Sequence, residues 1–165
     1  MASHTIRTVQ RIPASPEQVW NFFSDHANLQ AITPEHMKFR VLSQHHGAAI
    51  YAGQIIEYTL KPVLGIPVYW MTEITHVVQQ QFFVDEQRYG PYRMWHHQHH
   101  FKAIEGGTEM TDIVNYKNPL WVLGKLANAI FVREQLKGIF KYRFTRIEEI
   151  FGKWPAGQEL QVQIN

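Results

Sequence analysis

Met94-Trp95-His96-His97-Gln98-His99-His100-Phe101 is the stretch whose reading decides the fold. Its residues sort into two sets at a period of two, the side-chain period of a β-strand. Trp95, His97, His99 and Phe101 share one face; Met94, His96, Gln98, His100 and Lys102 share the other. The first set is bracketed by large aromatics and is the expected inward face. Two imidazoles then stand in an apolar interior, which is costly unless each meets a hydrogen-bond partner, a metal or a ligand. The reverse assignment would make His96 and His100 the inner pair.

Downstream, Gly106-Gly107 is a turn signal between Tyr92–Ala103 and a second alternating run, Glu109–Tyr116. A turn centred on the two glycines pairs Glu105 with Thr108. Phe101 then lies opposite Asp112, His99 opposite Val114 and His97 opposite Tyr116. Cross-strand neighbours share a face, so His97, His99, Asp112 and Tyr116 form one polar group among Trp95, Phe101, Met110 and Val114. Upstream, Phe82–Arg88, Val68–Val78, Ile50–Leu60 and Met37–Ser43 read as strands, with His45-His46-Gly47 as a turn. Thr5–Ile12 is a first strand. Ser15 is the expected N-cap of a helix over Pro16–Ser24, and Asn28 of a short second helix over Leu29–Ile32. Pro119 opens a long helix to Phe151, with a stripe of Leu123, Leu126, Ile130, Leu136, Phe140, Arg143, Ile147 and Ile150. The order is strand, two short helices, six strands, long helix. It predicts an α+β fold in which a curved seven-stranded antiparallel sheet (β-α-α-β6-α) wraps around the last helix and leaves an internal cavity. Residues 1–155 are expected to form a single domain and 156–165 a flexible C-terminal tail.

The 165 residues are 45% hydrophobic and 13% aromatic, enough for one well-filled core. A net charge of +2 without a basic tract argues against nucleic acid. The absence of cysteine removes disulfides, thiolate chemistry and cysteine zinc sites. No apolar run approaches the roughly 20 residues that span a bilayer, so stable membrane insertion is not expected and a cytoplasmic location is. Nucleophile elbows, phosphate loops and dinucleotide fingerprints are absent, and no cofactor is called for.

Several segments carry a family resemblance. Pro13-Ala14-Ser15-Pro16-Glu17-Gln18-Val19-Trp20-Asn21-Phe22-Phe23 resembles the strand-to-helix signature of the START-like superfamily. That superfamily includes the Bet v 1-like proteins and is also called SRPBCC. Asn28-Leu29 with Thr33-Pro34 resembles its second-helix signature. Phe83-Val84-Asp85-Glu86-Gln87, Gly90-Pro91-Tyr92, the strand Trp95 to Phe101, Thr111-Asp112 and Phe140-Lys141-Tyr142-Arg143 resemble a bacterial ligand-binding branch. The resemblance spans residues 3–152 and implies a helix-grip fold with a binding cavity. Members bind lipids, sterols, polyketides or other hydrophobic molecules, and some are cyclases, dehydratases or hydrolases.

Three readings of the polar group stay open. It is a satisfied hydrogen-bond network, the polar end of a ligand pocket, or a catalytic or metal site. His97 and His99 at i, i+2 could supply two ligands and Asp112 a third, but no spaced ligand motif supports a metal, and none is assigned. No catalytic residue is assigned either; His99 and Asp112 are the pair if the protein is an enzyme. Asp85 and Gln87 share a face with Phe83, and Glu86 shares one with Phe82 and Val84; these carboxylates are read either as a solvated face with an ion pair or with one of them turned inward and paired with Arg143. Arg143 either snorkels to the rim or pairs with Asp112 or Asp85. Tyr58 and Trp70 are expected to line the pocket, and the apolar loop Lys61–Pro67 to guard its entrance or meet a partner. The expected role is binding or carrying a small hydrophobic molecule, by a monomer or homodimer. A cavity enzyme with a His–Asp pair, and a regulatory interaction domain with a filled cavity, are the alternatives.

Overall fold

Alternation at period two builds an antiparallel sheet from about two fifths of the chain. In chain order its strands are β1 (His4–Ile12), β2 (Arg40–Val41), β3 (Ile55–Val63), β4 (Ile66–Val78), β5 (Phe82–Tyr89), β6 (Met94–Ile104), β7 (Gly107–Lys117) and β8 (Gln161–Ile164). They lie side by side in the order β2-β3-β4-β5-β6-β7-β1-β8. The computed structural model describes residues 3–43, 49–63, 65–118 and 125–165. The pairing register shifts between Leu60 and Val63 on β3, and between Met71 and Thr72 and again between Ile74 and His76 on β4. Such irregularities bend a strand and raise its twist, which curves the sheet.

Helix α1 (Pro16–Phe23) starts where the sequence predicts. Ser15 Oγ accepts from the Gln18 N–H at 3.2 Å, and Gln18 Oε1 accepts from the Ser15 N–H at 3.0 Å. This reciprocal cap is worth about 1 kcal/mol. It sets Val19, Trp20 and Phe23 against the sheet, where the Trp20 ring meets Phe83 and Phe101 edge-on at 5.9 and 5.5 Å. The 3-10 helix that follows, His26–Ile32, is capped by Asp25, whose Oδ1 accepts from the Ala27 N–H at 2.9 Å, rather than by Asn28.

Helix α2 (Lys125–Phe151) lies across the sheet. Val132, Leu136 and Phe140 pack on Ile6, Val114 and Tyr116, while Ile147 joins the cluster around Ile12 and Trp20. The buried stripe is therefore Val132, Leu136, Phe140, Phe144 and Ile147. Ile130 and Ile150, counted inward from periodicity, are exposed at 57% and 40%. The expected helix start at Pro119, Leu123 and the side chain of Leu126 lie outside the described residues, as does the turn His45–Gly47.

Two further expectations are corrected. The sheet has eight strands among the described residues rather than seven, because residues 161–164 pair with β1 instead of forming a loose tail. Alternation carries Val162 and Ile164 onto the cluster around Ile6 and Val114, which gives the last residues a reason to order. Within the stretch Lys61–Pro67, read as a loop, β3 runs to Val63 and β4 starts at Ile66, and Leu64 lies outside the described residues.

Candidate functional site

A cavity of about 200 Å³ separates α2 from the sheet. Its walls are largely apolar, with Tyr58, Trp70 and Trp95 from the sheet and Leu136, Ile139 and Phe140 from α2. One wall is different in kind. Asp85, His97, His99 and Arg143 open onto the cavity there, with Asp112 directly behind them.

The sheet assembles this wall. Strand β6 points His97 and His99 inward, both buried, while β5 sets Asp85 opposite His97 and β7 sets Asp112 opposite His99. His97 Nε2–H donates to Asp112 Oδ1 at 2.9 Å, and His99 Nε2–H donates to Asp85 Oδ2 at 2.8 Å. Each imidazole turns its second nitrogen to the other carboxylate. His97 Nδ1 stands 3.6 Å from Asp85 Oδ2, and His99 Nδ1 stands 3.0 Å from Asp112 Oδ1. The two rings lie 3.8 Å apart, and Phe83 stacks on His99 at 4.2 Å. Arg143 closes the group from α2. Its Nη2 is 3.8 Å from Asp112 Oδ1, and its guanidinium carbon sits 5.1 Å over the Phe23 ring.

Burial and charge divide the protons unequally. Burial works against ionising Asp112, but Arg143 and the two imidazoles outweigh it and hold its carboxyl well below the ordinary range. Asp85 is likewise held low, with burial opposed by His97, His99 and Arg143. Burial, joined by the neighbouring His99, pushes His97 down. His99 moves up, because its contacts with Asp112 and Asp85 overcome its own burial. Both carboxylates are thus favoured in their ionised form, and His99 takes up a proton more readily than His97. Tyr58 is pushed well up by burial and by the Asp85 charge, so it faces the cavity as a phenol.

The inward face of β6 is the one the sequence indicates, whereas the hairpin register differs. Ile104 pairs with Gly107 around a Glu105-Gly106 turn, so His99 faces Asp112, His97 faces Val114 and Trp95 faces Tyr116. Gly106 takes a left-handed φ of +83° there, and Gly107 is pressed so close to β1 that a Cβ would come within 2.1 Å of the Ile12 carbonyl oxygen. The register differs by two residues from the expected one, and an even shift leaves every side chain on its face.

Of the predicted site residues, Tyr58, Trp70, Trp95, His97, His99 and Arg143 line the cavity. Asp112 is in the polar group but behind the histidines. Tyr116 is not in that group; it packs at 1% exposure among Ile6, Val114 and Leu136. Phe101 belongs to the core around Trp20 and Phe23 and does not line the cavity. Arg143 does not snorkel outward, since its side chain is only 13% exposed. Asp85 is the cavity-lining carboxylate the sequence left ambiguous. Its parity with Phe83 was the available signal, but only the β5–β6 register places it against His97.

The chain matches the family model for polyketide cyclase / dehydrase and lipid transport over residues 12–140. Comparison with curated proteins finds no match. Among solved structures, protein CV1439 from Chromobacterium violaceum superposes with a TM-score of 0.69 at 15% identity, covering 92% of this chain and 99% of that one. A START superfamily protein from Mycobacterium smegmatis gives 0.63 at 14% identity, covering 89% and 99%. TTHA0849 from Thermus thermophilus gives 0.66 at 17% identity, covering 88% and 98%. At these identities the structural matches speak to the fold: an antiparallel sheet gripping a C-terminal helix.

Proposed function

We infer that this chain, which belongs to the polyketide cyclase / dehydrase and lipid transport family and has the helix-grip fold of START-like, Bet v 1-like (SRPBCC) proteins, holds one small, largely apolar ligand in its cavity. A carbonyl, hydroxyl or carboxylate of that ligand is anchored at the polar wall. The observation that carries this reading is a pair of unspent donors among apolar walls. Arg143 Nη2 and Trp70 Nε1 are buried without a hydrogen-bond partner, and both residues line the cavity. A buried donor left unpaired costs about 1–3 kcal/mol, which an acceptor on a ligand would recover. The cavity size limits the ligand. An engineered cavity of about 150 Å³ takes up benzene, so about 200 Å³ suits a substituted ring or short acyl chain. An open cavity also tells against a filled interaction domain.

Titration with naphthoate and with naphthalene, followed by quenching of tryptophan fluorescence, tests the reading. Naphthoate should bind about tenfold or more tightly than naphthalene, the value of one charge-assisted hydrogen bond. Arg143→Met should erase that difference. If neither compound binds, or if both bind equally to the unaltered protein, the reading fails. Native mass spectrometry of protein purified from its source would then name the ligand class. A proton-transfer role for the same wall draws support from one observation: His99 stands between two carboxylates, 2.8 Å from Asp85 Oδ2 and 3.0 Å from Asp112 Oδ1, and opens onto the cavity.

A further inference from the structure

We propose that Asp85, His97 and His99 form a binding site for a divalent first-row transition-metal ion, with Asp112 positioning both imidazoles and the open coordination face turned to the cavity. One donor atom from each of the three residues falls within 4.8 Å of the others. Tetrahedral ligands at 2.0–2.1 Å from an ion stand roughly 3.4 Å apart. His97 Nδ1 and Asp85 Oδ2 already lie 3.6 Å apart, and the 2.8 Å contact of His99 Nε2 with Asp85 has to open by roughly 0.6 Å.

The shell behind these donors argues for a metal over a plain hydrogen-bond network. A metal-bound histidine as a rule donates its other ring N–H to a carboxylate, which fixes tautomer and orientation. Here one oxygen, Asp112 Oδ1, sits 2.9 Å from His97 Nε2 and 3.0 Å from His99 Nδ1. Donation of both protons to Asp112 turns both remaining lone pairs toward Asp85. Without an ion the wall is not self-sufficient. The side chain of His99 is 4% exposed, yet its Nδ1 makes no hydrogen bond. An ion bound at Nε2 would fix the ring proton on Nδ1, which stands 3.0 Å from Asp112 Oδ1.

Charge points the same way. Asp85 and Asp112 bring two negative charges to the wall, and Arg143 is the one lysine or arginine among the described residues lining the cavity. A dication turns the remaining single negative charge into a single positive one, which leaves the wall able to attract an anionic or polarised oxygen. Two imidazoles and one carboxylate suit Zn²⁺, Fe²⁺ or Co²⁺ better than Mg²⁺ or Ca²⁺, which prefer oxygen donors. The site deepens the ligand reading, because the open face would take the ligand's oxygen.

Chelator-treated protein is titrated with Co²⁺, read by its visible d–d absorption and by calorimetry. One equivalent per chain should bind. Asp85→Asn and His99→Gln should each abolish the visible band, and Asp112→Asn should weaken binding about 10–100-fold. His96→Ala, on the outer face of β6, should change nothing. Circular dichroism checks that each variant is folded, and the unaltered protein decides the matter if one is not. Absence of stoichiometric Co²⁺ binding to it overturns the proposal. So does binding that survives Asp85→Asn and His99→Gln, or that His96→Ala removes. Naphthoate binding by the same chelator-treated sample is scored separately, so the site can fail while the ligand cavity stands.

Discussion

Replacing Asp112 by asparagine keeps the shape of the side chain and removes its charge. The residue is buried, accepts from His97 Nε2 at 2.9 Å, and has His99 Nδ1 at 3.0 Å and Arg143 Nη2 at 3.8 Å. A charge-assisted hydrogen bond contributes about 1.5–3 kcal/mol, and removing one partner from a buried charged group costs about 3–5 kcal/mol. The asparagine oxygen still accepts from His97, and Asp85 still faces the cluster, so the loss should fall near the lower end, about 3 kcal/mol. The pH dependence is the sharper part. Asp112 has a folded-state pKa held well below its ordinary value. Its contribution is therefore fully present above the unfolded value of about 3.9 and is lost as pH falls through the folded value. Asparagine has no such step. Urea unfolding in chelator, from about pH 7 to about pH 3, should show a difference between the two proteins that grows as His99, raised by Asp112, takes up its proton, and that narrows below about pH 4. A neutral-pH difference under about 1 kcal/mol, or one that does not narrow in acid, would refute the charged role of Asp112.

Core and backbone positions give further tests. Leu136, 2% exposed on the cavity face of α2, should cost about 2–5 kcal/mol when cut to alanine; the enlarged cavity should then accept longer ligands than naphthoate, measured by the same quenching. Gly107→Ala drives a Cβ into the Ile12 carbonyl and should destabilise by about 1–3 kcal/mol or more in thermal unfolding. Gly138→Ala, in α2 with nothing within 4 Å of the new atom, should instead stabilise by about 0.5–1 kcal/mol; a loss there would show that α2 packs against something in solution.

Local chemistry was legible where it acts over a few residues. The Ser15–Gln18 cap, the two faces of β6 and the turn near Gly106 could each be read from neighbouring side chains. Arg143 was legible only as a charge on an apolar stripe, open between snorkelling and pairing, and the fold decided for the buried position. Periodicity failed at the ends of α2, where Ile130 and Ile150 keep the spacing but extend past the sheet that would bury them. It also missed β8, a run whose order depends on an edge of β1 more than 150 residues away.

The sequence by itself determined which side chains of β6 turn inward, since strand parity is a local property and survives a register shift of two. Tertiary structure alone decided which carboxylates meet the two histidines. Asp85 and Asp112 lie on different strands on either side of β6, and cross-strand register depends on turn geometry and on bulges that local pattern does not encode. That register moved Tyr116 into the core and brought Asp85 to the cavity wall. It also set Asp112 opposite His99, with its Oδ1 2.9 Å from His97 Nε2 and 3.0 Å from His99 Nδ1.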